Sequence, residues 1–224
     1  LNHKFSIVKS VIFDTIKLFK KGFFKKVFQN FIKKNLNSRL LFSSVVPSAF
    51  KEIKKNLKLS KYKAIEVKSL KIKKIIKINV KKKNQIGSDR IVNAIAGKKY
   101  KNCLILDFGT ATTFDIIKNG VYEGGVIAPG VKLSMMNLSN STALLPMFSL
   151  RNNPKSYGKN TKDALNAGFI WGYEGLINNI INKITSKWKM KYKLILTGGY
   201  ASLFKKFIKK KRNVEQNIKK KRTS

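Results

Sequence analysis

Four consecutive residues, Asp107-Phe108-Gly109-Thr110, have the side-chain types to meet a nucleotide phosphate. The glycine lets backbone approach an anion, the threonine hydroxyl donates to it, and the aspartate can hold a cation. They fall between two apolar stretches, 103–106 and 112–117, which read as the strands of a hairpin. D-x-G-T alone is short, and Asp107 reads equally well as an ordinary hairpin residue. Thr112-Thr113 on the next strand and Gly198-Gly199 downstream favour the phosphate reading. A second group, Gly87-Ser88-Asp89-Arg90, opens a helix-like stretch over 91–96. Asp89 stands near its start, where carboxylates are favoured, and by residue type alone it is a helix N-cap first. Arg90 has the simpler reading of pairing with a neighbouring carboxylate. Thr161 reads as the cap of a helix starting at Lys162. His3 is the only histidine and Cys103 the only cysteine, which leaves zinc sites and Ser-His or Cys-His catalysis almost nothing to use. A single cysteine also excludes an internal disulfide and fits a reducing cytoplasm.

The elements that must position these groups follow from periodicity. Residues 4–34 place Phe5, Val8, Ile12, Ile16, Phe19, Phe23, Val27, Phe28 and Phe31 at helical spacing, with lysines on much of the other face. The apolar run 40–46, closed by Pro47, reads as a buried strand. Residues 51–83 alternate lysine with Ile, Val and Leu, which predicts strands. Asn119-Gly120 is a hairpin turn leading to a third strand over 121–127, and Pro129-Gly130 ends that meander. A helix is expected over 165–184, with Gly168, Gly172 and Gly175 allowing close packing on one side. Residues 194–199 form a strand running into a glycine turn.

With 224 residues, 43% of them hydrophobic, the chain can bury a sizeable core. No apolar run is long enough to span a membrane, and residues 1–16 lack the uninterrupted apolar core of a signal peptide. The formal charge of +39 invites a nucleic-acid reading. Yet lysine crowds into 51–83 and 205–224 beside abundant Asn and Ile, whereas 103–150 carries a net −1. An AT-biased genome accounts for that pattern, so the excess is read as passive, with no specific nucleic-acid partner.

Seven blocks occur in order: Ser43-Ser44-Val45-Val46-Pro47-Ser48, Gly87 to Ala94, Asp107 to Asp115, Gly124 to Gly130, Leu145-Pro146, Gly158-Lys159-Asn160-Thr161 and Thr197-Gly198-Gly199. In identity and spacing they resemble the type III pantothenate kinases over roughly 41–204. The resemblance implies an α/β fold of the actin-like (RNase H-like) kinase class with two related domains. These are expected over 1–100 and 101–204, followed by a Lys-rich tail over 205–224. It implies ATP-dependent phosphorylation of pantothenate to 4'-phosphopantothenate, the first step of coenzyme A biosynthesis. Asp89 is then the catalytic base. Gly87, Ser88, Asp89, Arg90 and Thr161 bind pantothenate, and Thr110 binds ATP. Asp107 holds a monovalent cation, potassium or ammonium, while Mg2+ accompanies ATP. A cytoplasmic homodimer is implied, with no membrane partner. The alternatives are a non-catalytic relative that binds or regulates a partner, and a basic nucleic-acid-binding protein.

Two positions depart from the family pattern. Val80 stands where many members have a tyrosine that touches pantothenate. The family also begins with a strand and a D-x-G-N-T loop gripping the ATP phosphates, and residues 1–42 contain no match. The first domain is therefore expected to lack its first strand and phosphate loop, and the chain from Leu1 to be a poor kinase or none.

Overall fold

The computed structural model describes residues 15–20, 22, 23, 26, 27, 39–43, 47–58, 63–151, 154–209 and 214–216. Two compact units emerge: Leu1–Ile75 with Lys82–Ile95, and Ile76–Lys81 with Ala96–Ser224. In the first unit, β1 (Arg39–Phe42) and β2 (Lys63–Glu66) pair in parallel, Arg39 opposite Lys63 and Phe42 opposite Glu66. Parallel neighbours need a crossover, and α1 (Pro47–Lys58) supplies it. The strands expected across 51–83 are thus corrected over the first part of that range. Pro47 suits a helix start, and Ala49, Phe50, Ile53 and Asn56 form an inward face at helical spacing beneath the lysines. Phe50 packs against Phe42, with ring centroids 5.8 Å apart. Later in the range come β2, the single helical turn α2 (Ile72–Ile75) and the two-residue β3 (Lys77–Ile78). Of the helix expected over 4–34, Thr15–Phe19 form a 3-10 turn, and most of the rest lies outside the described residues. The same holds for 44–46 of the expected strand. The chain then forms α3 (Ser88–Gly97), as its sequence predicts.

The second unit is built on a six-stranded sheet. In chain order its later strands are β4 (Cys103–Phe108), β5 (Ala111–Lys118), β6 (Val121–Pro129), β7 (Lys193–Gly198) and β8 (Val214–Gln216). Across the sheet the order is β3-β6-β5-β4-β7-β8. The β4–β5–β6 meander is antiparallel, whereas β7 runs parallel to β4, β8 to β7 and β3 to β6. Asn119 and Gly120 both adopt positive φ, 51° and 74°, the pair a two-residue primed turn requires. Helices α4 (Val131–Asn140), α5 (Thr161–Thr185) and α6 (Ala201–Phe204) complete the unit.

Strand alternation splits the sheet into two faces. Leu104, Leu106, Phe108, Phe114, Leu194 and Leu196 pack with Ile170, Tyr173, Ile177 and Ile181 of α5 and with Phe204. The Phe108 and Phe204 rings stack at 5.5 Å. Burying each such side chain contributes about 1.5–3 kcal/mol, so this core fixes the end of β4 from which the Asp107 loop springs. The other face carries Cys103, Ile105, Ile117 and Ile195.

Candidate active site

In the first unit, Gly87-Ser88-Asp89-Arg90 forms the start of α3. The Gly87 carbonyl accepts from the Ile91 amide at 3.1 Å, which puts Gly87 at the cap position. Asp89 therefore lies in the first turn instead of capping it. Ser88 is fully buried, and its hydroxyl donates to Glu66 Oε1 at 3.3 Å. With Ile91, Asn93 and Ala94 also buried, the helix is anchored along one side. Asp89 and Arg90 stay half-buried.

In the second unit, Asp107-Phe108-Gly109-Thr110 turns from β4 into β5. Phe108 opposite Thr112 is the last register pair, and the Gly109 amide donates to the Ala111 carbonyl at 3.1 Å. Gly109 and Thr110 are exposed, and Asp107 is half-buried. Two further glycines brace this loop from behind. Gly130 presses on the Thr110 carbonyl so closely that any β-carbon would overlap it. Gly198, at φ +91°, lies against the Phe108 backbone, and the Gly199 amide donates to the Phe108 carbonyl at 2.9 Å. The loop is a closely braced backbone turn with Gly109 and Thr110 exposed at its tip.

Thr161 is the first residue of α5, exposed, and the cap is Asn160. Asn160 Oδ1 accepts from the Asp163 amide at 2.9 Å, and its Nδ2 donates to Asp163 Oδ2 at 2.7 Å. The cap expected at Thr161 thus moves one residue back, and Thr161 lines an open groove of about 660 Å³. Leu138 and Leu145 line that groove together with Leu165, Phe169 and Leu176 of α5. Tyr173 packs in the core, its hydroxyl 2.9 Å from Ser134 Oγ, while Trp171 is exposed. Val80 lies 3.4 Å from where a β-carbon on Gly124 would stand. Beside it, Asn79 Nδ2 donates to Glu123 Oε2 at 2.6 Å.

Asp107 has threonine neighbours in strand register on both sides. Among the described residues no group of three or more His, Cys, Asp or Glu is placed to hold a metal. Asp107 is instead flanked in register by Thr113 on β5 and Thr197 on β7. Both threonine hydroxyls are buried without a hydrogen-bond partner. One carboxylate among neutral oxygens is an all-oxygen donor set of low charge, which fits a singly charged cation. Two residues along β5, Asp115 is fully buried, and Tyr122 donates its hydroxyl to Asp115 Oδ1 at 3.0 Å. Burial, aided by Asp115, pushes the Cys103 thiol up to about 12, so at neutral pH it is protonated and no nucleophile.

Sequence reading missed Asn160 as the cap, the Ser88–Glu66 bond and the row Thr113–Asp107–Thr197. The row had a usable signal, because both threonines stand in motifs already noticed. What was absent was the strand register that puts them beside Asp107.

The mixed sheet with its glycine-braced hairpin and flanking helices is an α/β fold. A family model described as type III pantothenate kinase matches residues 11–183. The type III pantothenate kinase of Pelagibacter ubique is 45% identical over 220 residues, 97% of this chain and 88% of that protein. The enzyme of that name from a Sulfurihydrogenibium species is 35% identical over 198 residues, 85% of this chain and 77% of the relative. The chain belongs to the type III pantothenate kinase family. Among solved structures, a Campylobacter jejuni protein described as a Baf family transcriptional activator superposes with a TM-score of 0.57. It is 21% identical, over 87% of this chain and 81% of that one, and the likeness is one of fold.

Proposed function

We infer that this chain transfers the γ-phosphoryl group of ATP to the primary hydroxyl of pantothenate, opening coenzyme A biosynthesis. The observation that carries this reading is 45% identity to a type III pantothenate kinase across nearly the whole chain. The G-S-D-R and D-F-G-T blocks, at a helix start and a braced hairpin, support it. Asp89 is the base: as the pantothenate oxygen bonds to phosphorus and the bond to ADP breaks, its carboxylate takes the hydroxyl proton. Gly87, Ser88, Arg90 and Thr161 position pantothenate, and Thr110 contacts ATP. Transition states of this kind are loose, so positioning and charge neutralisation supply most of the catalysis. Magnesium bound with ATP, and potassium or ammonium at Asp107, add positive charge beside the phosphates.

The working form is a cytoplasmic homodimer. No helix among the described residues is long and apolar enough to cross a membrane. The groove beside Thr161 and the exposed Leu133, Met136 and Trp171 offer apolar surface that a second copy would cover. The lysine excess is passive and selects no nucleic acid.

A full-length form carrying the family's N-terminal phosphate loop is expected to consume ATP only when pantothenate is present, faster in potassium or ammonium than in sodium. Absence of pantothenate-dependent turnover would sink the kinase reading, and equal rates in sodium and potassium would remove the cation from it. Light scattering during gel filtration is expected to give twice the chain mass, and a monomer at assay concentration would refute the dimer.

A further inference from the structure

Among the described residues of the second unit, three threonine hydroxyls are buried with no hydrogen-bond partner: Thr112, Thr113 and Thr197. Leaving a hydroxyl in that state costs about 1–3 kcal/mol, so each one needs a reason. Two of them share one. Thr113 is opposite Asp107 in the antiparallel pair β4–β5, and Thr197 is opposite Asp107 in the parallel pair β4–β7. Residues in lateral register project to the same face of a sheet, with β-carbons about 4.5–5.5 Å apart. The three side chains therefore form one transverse row, hydroxyl–carboxylate–hydroxyl, at the end of the strands that carries the Asp107–Thr110 loop. Neither hydroxyl bonds to the carboxylate, although both stand next to it. Thr113 is 6% exposed and Thr197 2%, which leaves bulk water little access to satisfy them.

The neighbours on that face narrow the choice further. Asp115, next along β5, is engaged by the Tyr122 hydroxyl. Cys103, Ile105, Ile117 and Ile195 are apolar or inert. Thr112 belongs to the opposite face, in the row with Phe108 and Ala128, and has no carboxylate beside it.

We propose that the hydroxyls of Thr113 and Thr197, with Asp107 between them, are the protein's ligands for a singly charged cation and set its selectivity. The assignment rests on the reading of Asp107 as a cation holder and adds the two groups that complete it. Each hydroxyl has two lone pairs to offer. Together with one carboxylate they give a site of formal charge −1, which neutralises a monovalent ion and under-serves a divalent one. An ion seated there turns two costly orphan hydroxyls into ligands, and the site thereby explains its own polarity.

Valine replaces threonine with nearly the same shape and no hydroxyl, so Thr113→Val and Thr197→Val are the informative changes. Thermal melting of the full chain is followed in potassium against choline at constant ionic strength, with ATP present. Wild type is expected to melt higher in potassium. Each valine variant should need at least about tenfold more potassium for half the shift, and the double variant should lose it. In choline the valine variants should melt at or above wild type, because an unsatisfied hydroxyl has been removed. Thr113→Ser keeps the ligand and should keep the response. Thr112→Val, on the other face, should also respond as wild type.

Three results would each overturn the proposal. One is a wild type with no potassium-specific shift. Another is a double valine variant with an unchanged half-saturating potassium concentration. The last is a loss of stability of equal size in both salts, which marks a structural role. Should the potassium response and its loss appear in a protein with no pantothenate-dependent turnover, the cation site stands and the kinase reading falls.

Discussion

Asp89→Asn is expected to lower kcat by about 10²–10⁴-fold, the usual contribution of a positioned base. The amide fills the same space and bonds at the same distances, but it cannot accept the proton that the pantothenate hydroxyl sheds. A structural role would give a different pattern, and the geometry separates the two. Gly87, not Asp89, holds the cap position of α3, and the helix is anchored by buried Ser88, Ile91 and Ala94. Removing the carboxylate therefore forfeits only its attraction to the helix N-terminus, about 0.3–1 kcal/mol. That is about 1–4 °C in the melting midpoint of a chain this size, too little to empty the folded state. Turnover, ATP binding by calorimetry and thermal melting should be measured on one preparation. ATP affinity is expected to hold within a few-fold. A variant keeping more than about a tenth of wild-type turnover would return Asp89 to a structural role.

Gly198→Ala is expected to destabilise the second unit strongly. Two costs coincide there. At φ +91° a side chain strains the backbone, by about 1–3 kcal/mol. The added methyl would also stand 2.5 Å from the nitrogen, carbon and oxygen of Phe108. Backbone on both sides cannot turn away as a side-chain tip would, so overpacking adds about 1–3 kcal/mol more. A loss of about 2–6 kcal/mol is a large part of the roughly 5–15 kcal/mol that hold a domain together. The melting midpoint should fall by roughly 5–20 °C. Because the displaced residue is Phe108, whatever remains folded should also bind ATP poorly. Gly175→Ala is the control: it is exposed in α5, with nothing within 4 Å of the new methyl. Helix propensity makes that change neutral or stabilising by up to about 1 kcal/mol. If Gly198→Ala melts with Gly175→Ala, the close approach of β7 to the Asp107–Thr110 loop has been misjudged.

The second unit was the more legible half. Its central strands β4 and β7 are short continuous apolar runs, Asn119-Gly120 names its own turn, and α5 carries a long apolar periodicity, so local signals and tertiary packing agree. Residues 51–83 were harder for a physical reason. Lysine at nearly every polar position masks the difference between a period of two and one of 3.6, and α1 was read as strand. Pro47 and the spacing of Ala49, Ile53 and Asn56 carried the correct answer. Site residues divided along the same line. Motif blocks singled out Asp89, Asp107, Thr110 and Thr161 as the proposed site residues, because contiguous residues travel together in a sequence. Thr197 could not be tied to Asp107 in that way, since 90 positions separate them and only strand register makes them neighbours.

The path of the chain through its two units has a consequence for inheritance. Residues 76–81 contribute β3 to the second unit, after which 82–95 return to the first. No single breakpoint in the coding sequence therefore yields two self-sufficient halves. A crossover after residue 75 would send Asp89 away with the wrong partner, and one after 95 would strip the sheet of its edge strand. Recombination between relatives can exchange a whole unit only by a double exchange that spares the short intervening stretch. A single crossover between the Asp89 helix and the Asp107 hairpin therefore always leaves the second unit of mixed origin.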